Sequence, residues 1–259
     1  MSKRLNKVFQ ERGDKPLLSI FYTAGFPSLD STVEIGRALA DAGVDFLEIG
    51  IPFSDPVADG PTIQESSGIA LANGMTLPLL LEQVAELRKQ VDIPLILMGY
   101  INPVIQYGVE KFFSDISASG VDGVILPDLP LHDLEERYQK ICIEHDIATI
   151  FLVSPQTSEE RVRKIDELSS GFLYAVSSPS ITGGALTVST QRDEYLKRLS
   201  SYDLKNPLVV GFGIKDRESF DSVTQFTPGA IIGSAFIKHL EREGVDRAKI
   251  AKFIKSIKD

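Results

Sequence analysis

The chain is poor in cysteine and histidine, and it has fewer basic than acidic residues. Its single cysteine, Cys142, excludes an intramolecular disulfide and suits a reducing compartment. The three histidines, His132, His145 and His239, lack metal-ligand spacing, and we expect each to lie on a solvated helix. We therefore predict no metal site and no histidine-based triad. A formal net charge of −9 argues against nucleic-acid or anionic-membrane binding through a general basic field.

Long apolar stretches are also missing. No run of about 18 apolar residues is present, so we predict no membrane span. The basic N-terminus is not followed by an apolar signal core, and we expect a cytoplasmic protein. Lysines lie at the chain ends and in helical patterns rather than in strands, which leaves Schiff-base chemistry without a candidate. The composition, 43% hydrophobic and 24% charged, is typical of a globular protein with a sizeable core.

Short apolar runs are present instead, and they recur about every 25–40 residues. They read as continuously apolar, as strands of a parallel sheet covered on both faces do. We predict eight strands: Leu17–Tyr22, Phe46–Ile51, Leu95–Met98, Val124–Leu126, Thr149–Val153, Phe172–Val176, Leu208–Phe212 and Ala230–Ile232.

Helical patterns separate these runs and flank the whole set. Residues Ser31–Glu34 read as a capping box, and Asp216 is placed to cap a later helix. Further helices are predicted over Lys3–Glu11 and Asp246–Ile257. Eight β-then-α units predict a single α/β domain over residues 1–259, a (β/α)8 TIM barrel with an extra N-terminal helix. A doubly wound open sheet is the rival, but it usually has fewer strands, and no Gly-x-Gly-x-x-Gly follows the first strand here.

Glu48 is the most informative residue, because it lies inside the apolar run of the second predicted strand. Burying an unpaired carboxylate costs free energy, so we expect Glu48 to be ion-paired, protonated or catalytic. The alternative to a catalytic role is an ion-paired residue or a residue at the edge of the sheet. Alternation along the strand places Glu48 with Phe46 and Gly50, on the face opposite the aliphatic residues. The loop beyond holds Asp55 and Asp59, which makes an acid/base arrangement plausible.

Glycines form a second candidate site late in the chain. Gly183 follows Thr182, Gly213 follows the seventh strand, and Gly233 with Ser234 follows the eighth. Barrels frequently bind phosphate in these loops through backbone N–H groups and the start of a short helix. We therefore predict a phosphate site built from amides rather than lysines.

These motifs resemble the tryptophan synthase α-subunit family, and the resemblance spans essentially the whole chain. Its most specific part is the run FLEIGIPFSDPVADGPTIQ at residues 46–64. Further motifs follow in the family's order: Met98–Pro103, Ile181–Gly183, Gly211–Ile214 and Gly233–Ala235.

The resemblance implies a lyase that splits indole-3-glycerol phosphate into indole and glyceraldehyde 3-phosphate. It implies that Glu48 is the acid/base, that Asp59 accepts the indole N–H, and that Tyr174 lines the site. No cofactor is implied for this chain; pyridoxal phosphate is expected only on a partner β subunit, in an α2β2 assembly. The resemblance also implies substrate contacts from Phe21, Tyr100, Leu126, Thr182 and Phe212, phosphate contacts from Gly183, Gly213, Gly233 and Ser234, and β-subunit contacts from Pro52, Phe53 and Asp55.

One segment, residues 177–192, departs from the family pattern. It lacks the usual Ser-Arg-x-Gly-Val-Thr-Gly motif, and its long Ser-, Thr- and Gly-rich connection predicts a mobile lid. Two alternatives stay open: a stand-alone indole-3-glycerol-phosphate lyase, and a barrel kept only to regulate a β subunit. Regulation alone would not require a buried acid at Glu48.

Overall fold

Eight parallel strands close into a barrel. The computed structural model describes residues 3–177 and 185–259, with side chains in the second range described from residue 190. The strands pair in sequence order, and the last pairs with the first. They are β1 Leu17–Thr23, β2 Phe46–Gly50, β3 Leu95–Met98, β4 Gly123–Ile125, β5 Ala148–Val153, β6 Leu173–Ala175, β7 Leu208–Val210 and β8 Gly229–Ile232. The predicted (β/α)8 barrel is confirmed, because every predicted run coincides with a strand to within about two residues at each end.

Helices connect the strands and flank the barrel. Asp216 caps its helix as the sequence predicts, accepting the Ser219 N–H at 2.9 Å, and Thr76 caps another by accepting the Leu79 N–H at 3.4 Å. In the described residues the helices are α1 Lys3–Glu11, α2 Ser31–Asp41, α3 Pro61–Ala72, α4 Leu77–Arg88, α5 Ile101–Tyr107, α6 Val109–Ala118, α7 Leu131–Asp133, a π-helical turn Leu134–Tyr138, α8 Gln139–Glu144, α9 Glu159–Leu168, α10 Ala185–Ser200, α11 Arg217–Thr224, α12 Ser234–Glu243 and α13 Arg247–Lys258.

The predicted capping box at the start of α2 is wrong. The N-cap residue is Asp30, and its side chain makes no capping hydrogen bond. The Ser31 hydroxyl accepts the Ser28 N–H at 3.1 Å, and the Thr32 hydroxyl accepts the Gly25 N–H at 3.1 Å. These hydroxyls therefore satisfy the preceding loop rather than the helix, a competition open to Ser and Thr side chains.

Helix α1 covers the N-terminal end of the barrel. Its Phe9 ring lies 6.2 Å from the ring of Phe46 and 6.0 Å from that of Phe172, which are themselves 5.6 Å apart. An ion pair holds α1 against the barrel, because the Arg4 guanidinium contacts the buried Asp122 carboxylate at 3.3 Å. The extra N-terminal helix predicted from the sequence thus forms an aromatic floor beneath the barrel interior.

One histidine does not lie where we expected. His239 on α12 is buried, not solvated, with its ring 4.9 Å from Phe253 and 6.0 Å from Phe236. Cys142 is buried as well, and burial raises the pKa of its thiol to about 12, which leaves it unreactive. Within the described ranges, no helix has the length and apolarity needed to span a bilayer, and no cluster of acidic, histidine or cysteine side chains forms a metal site.

Candidate active site

A cavity of about 510 Å³ opens at the carboxyl ends of the strands. Side chains alternate between the inside and the outside of a barrel along each strand, and those near the ends of strands line this cavity. Glu48 from β2, Tyr174 from β6 and Phe21 from β1 all reach it. The predicted face of Glu48 is therefore the interior of the barrel.

Glu48 is buried without a counter-charge. Its side chain has no solvent exposure, and neither carboxylate oxygen has a hydrogen-bond partner among the described residues. Burial raises the pKa of Glu48 to about 8, and the nearby Asp59 charge adds to the rise. The nearby Tyr174 hydroxyl opposes part of this rise in the pKa of Glu48. Glu48 thus holds a proton at neutral pH, as a general acid must.

Tyr174 is held tightly against the strand beside it. Its pKa is raised well above the ordinary value by burial, with the Glu48 and Asp59 charges adding to the effect, so the hydroxyl stays protonated. A methyl group on Gly211 would lie 1.9 Å from a ring carbon of Tyr174 and 2.2 Å from its hydroxyl oxygen. Glycine at position 211 is therefore a packing requirement of the tyrosine, since heavy atoms cannot approach so closely.

Asp59 lines the cavity from the irregular segment of residues 51–60. Burial raises its pKa, and a hydrogen bond with Tyr100 opposes the rise. The Tyr100 hydroxyl also accepts the Ala58 N–H at 3.1 Å. Two carboxyl groups with raised pKa values thus share one cavity, an arrangement typical of acid–base sites.

The glycine-rich loops after β7 and β8 form another wall of the cavity. Gly213, Gly233 and Ser234 all line it, and Ser234 begins α12, whose first N–H groups have no partners inside the helix. A side chain on Gly213 would meet no atom within 4 Å, but its φ of +71° favours glycine. The helix N-terminus and open glycine backbone can bind an anion. Thr182 and Gly183 lie outside the described residues, as do residues 178–184 of the predicted lid.

The aromatic and aliphatic residues predicted to contact the substrate separate into two groups. Phe21 and Phe212 line the cavity, and the Phe212 ring lies 6.4 Å from that of Tyr195. Leu126 does not line it; this residue borders neighbouring cavities beside β4 and β5. Tyr100 borders a small space behind Asp59. Leu126 thus lies beside the cavity rather than on its wall, and its contact with the substrate stays a prediction.

Three residues predicted to face a partner lie just beyond β2. Pro52 is buried, Phe53 is half-buried, and Asp55 is exposed. The Phe53 ring lies 5.4 Å from the ring of Tyr100. The nearby Val57 is 81% exposed, which is unusual for an aliphatic side chain. This turn therefore joins an exposed surface to a residue that contacts Asp59.

Several apolar residues that line the cavity were missed from the sequence. Four of them lie at strand ends and point inward with the same alternation as Glu48, so alternation was the signal that could have identified them. They are Met98, Leu152, Val176 and Ile231, joined by Ile63 from α3 and Ile214 from the loop after β7.

Comparison with known proteins identifies the family. The sequence model described as "Tryptophan synthase alpha chain" matches residues 9–258. This chain belongs to the tryptophan synthase α-chain family. The α chain of Flavobacterium psychrophilum is 51% identical over 254 residues, covering 98% of this chain and 99% of the relative. That of Christiangramia forsetii is 50% identical over 255 residues, covering 98% of each.

Solved structures of the family share this architecture. The tryptophan synthase α subunit of Legionella pneumophila superposes with a TM-score of 0.90 at 34% identity, covering 100% of this chain and 97% of that one. The predicted α-subunit role in tryptophan biosynthesis, and with it the lyase reaction on indole-3-glycerol phosphate, is confirmed by this membership.

Proposed function

We propose that Glu48, Asp59 and Tyr174 carry out the cleavage of indole-3-glycerol phosphate inside the barrel cavity. The reaction breaks the bond between indole C3 and the hydroxyl-bearing carbon of the side chain. It needs a proton at C3, removal of the proton from that hydroxyl, and stabilisation of positive charge at the indole nitrogen. The burial and the raised pKa of Glu48 support its assignment to both proton steps.

The two steps form a closed proton cycle. Glu48 starts protonated and gives its proton to indole C3, which leaves a carboxylate on the enzyme and a positive charge on the indole ring. The carboxylate then takes the proton of the side-chain hydroxyl while the carbon–carbon bond breaks. The bonding electrons return to the ring, releasing neutral indole and the aldehyde, glyceraldehyde 3-phosphate. Glu48 ends protonated, ready for another turnover.

Asp59 supplies a negative charge to balance the positive charge that forms on the indole ring. An ionised carboxylate that accepts the indole N–H stabilises the ring most when it becomes cationic, so the contact strengthens in the transition state. Two adjacent carboxyl groups do not readily ionise together, which favours one protonated group beside one charged group. The protonated Tyr174 hydroxyl supports this division by donating towards Glu48 once the carboxylate forms.

The phosphate end of the substrate is assigned to Gly213, Gly233 and Ser234. Their position on the cavity wall, at the start of α12, supports this assignment. Gly183 and Thr182 remain predicted contacts. With phosphate at this wall, the indole ring would lie near Phe21 and Phe212, between Glu48 and Asp59.

We also propose that the chain needs no cofactor for this half-reaction and that it acts with a β subunit in an α2β2 assembly. The proton cycle above is complete with side chains alone, which supports the first point. Membership of a family of α chains supports the second. The Pro52, Phe53 and Asp55 turn is the proposed contact, because its outer part is exposed and its inner part reaches Tyr100.

The burial of Glu48 without a counter-charge is the observation that carries this proposal. Glu48→Gln keeps the size of the side chain but removes the exchangeable proton. We expect kcat for indole release to fall by about 10³–10⁴-fold, near the upper limit of general acid–base effects, because one group serves two proton steps. The matched control is Glu82→Gln, at an exposed position on α4, which should cleave at the wild-type rate. Near-wild-type indole release by Glu48→Gln would contradict the proposed mechanism.

A further inference from the structure

Asp59 lies in a segment that no strand or helix holds in place. Residues 51–60 are irregular throughout, and α3 then begins at Pro61 with Gly60, which has no capping side chain, at its N-cap. A carboxylate in such a loop can turn away from the cavity when its peptide rotates. Catalytic geometry tolerates little displacement, so some contact must fix this peptide.

Two side chains hold the backbone on either side of the Asp59 side chain. On one side the Tyr100 hydroxyl accepts the Ala58 N–H at 3.1 Å. On the other, the Gln64 side-chain amide donates to the Asp59 carbonyl oxygen at 2.7 Å. The Gln64 backbone N–H also donates to the Gly60 carbonyl at 3.0 Å. Gln64 thus binds two successive carbonyl groups and joins the Asp59 peptide to the first turn of α3.

We propose that Gln64 is a positioning residue for Asp59, fixing the peptide so that the carboxylate points into the cavity. This inference rests on the proposed role of Asp59 as acceptor of the indole N–H. Gln64 itself does not line the cavity, and its side chain is largely exposed. Its effect on the reaction therefore acts through Asp59 rather than through the substrate.

Replacing Gln64 by methionine tests this inference. Gln64→Met keeps the length of the side chain but removes the donor. We expect kcat to fall about threefold to tenfold, the factor that corresponds to a neutral hydrogen bond, with KM changed less than about twofold. Gln64→Glu also lacks the donor and should act in the same direction. Gln225→Met, at an exposed glutamine at the end of α11, is the matched control and should behave as wild type.

The pH profile separates positioning from a general structural effect. Burial raises the pKa of Asp59, and activity requires its ionised form, so Asp59 contributes an acid limb to kcat/KM. A peptide freed by Gln64→Met lets the carboxylate reach water, which lowers its pKa towards the ordinary value. The acid limb should therefore move to lower pH. The proposal would be wrong if the acid limb of kcat/KM stayed at the same pH in Gln64→Met. It would also be wrong if Gln225→Met lowered kcat by as much as Gln64→Met does.

A double-variant cycle distinguishes this inference from the mechanism on which it rests. In an Asp59→Asn background, Gln64→Met should lower kcat less than about twofold, because residues that act through one another are not additive. If Gln64→Met lowers kcat in the Asp59→Asn background as much as it does in the wild type, Gln64 does not act by positioning Asp59. If Asp59→Asn alone cleaves as fast as wild type, the proposed function of Asp59 is wrong. If Asp59→Asn is impaired while Gln64→Met matches wild type, only the role of Gln64 is wrong.

Discussion

The buried carboxyl group of Glu48 should make the stability of the protein depend on pH. In the folded chain its pKa is raised from the ordinary value of 4.5 to about 8, mainly by burial. Between these two pH values the folded protein holds a proton that the unfolded chain has released. Stability therefore falls as pH rises through this window, and the dependence ends above pH 8, where both states are deprotonated. Glu48→Gln removes the titrating group and with it this dependence.

The size of this pH dependence follows from the interval between the two pKa values of Glu48. Each pH unit within it costs the wild type about 1.4 kcal/mol of unfolding free energy relative to the variant. From pH 5.5 to pH 7.5 the advantage of Glu48→Gln over wild type should therefore grow by about 3 kcal/mol. The amide leaves two unpaired polar atoms where the carboxyl group had two, so it adds a contribution that does not vary with pH.

Urea unfolding at pH 5.5, 6.5 and 7.5, followed by circular dichroism, measures this difference. Glu82→Gln is the matched control, because an exposed carboxyl group on α4 should give a difference from wild type that stays constant over the same range. A constant difference between wild type and Glu48→Gln would refute the reasoning. It would mean that Glu48 is already ionised at pH 5.5 and finds a partner in the cavity.

Three further variants probe the rest of the site. Gly233→Asp should raise KM for the phosphate substrate at least about tenfold while the melting temperature holds, because a carboxylate would repel the anion; an unchanged KM would place the phosphate elsewhere. Gly211→Ala should lower kcat at least about tenfold by displacing Tyr174, whereas Gly68→Ala, with no atom within 4 Å of the added carbon, should not; equal rates would show that the tyrosine can move freely. Phe53→Ala should keep its basal rate but lose stimulation by an added β subunit; full stimulation would remove this turn from the interface.

The barrel and the acid could be predicted from the sequence because both rest on local patterns. Strands buried on both faces must be apolar along their length, so eight apolar runs located eight strands. Alternation within β2 placed Glu48 on the interior face. Both arguments need only the residues within one strand.

Other features could not be predicted because they depend on residues distant in the chain. Ser31 could cap its helix or serve the preceding loop, and only the path of that loop decided between them. His239 is buried because α13 brings Phe253 against it. Gly211 appeared in the sequence only as part of a family motif, yet its neighbour is the ring of Tyr174, 37 residues earlier in the sequence. The role of each of these residues depends on how helices, strands and loops pack together, and a local sequence pattern carries no information about that packing.

The aromatic floor beneath the cavity restricts how molecules move through the barrel. Among the described residues, the rings of Phe9, Phe46 and Phe172 pack against one another below Glu48, at the end of the barrel opposite the cavity mouth. We therefore expect substrate, indole and the aldehyde to use the mouth at the carboxyl ends of the strands. We expect that a protein receiving indole directly would dock at that mouth, where it would also cover the exit of the phosphorylated product.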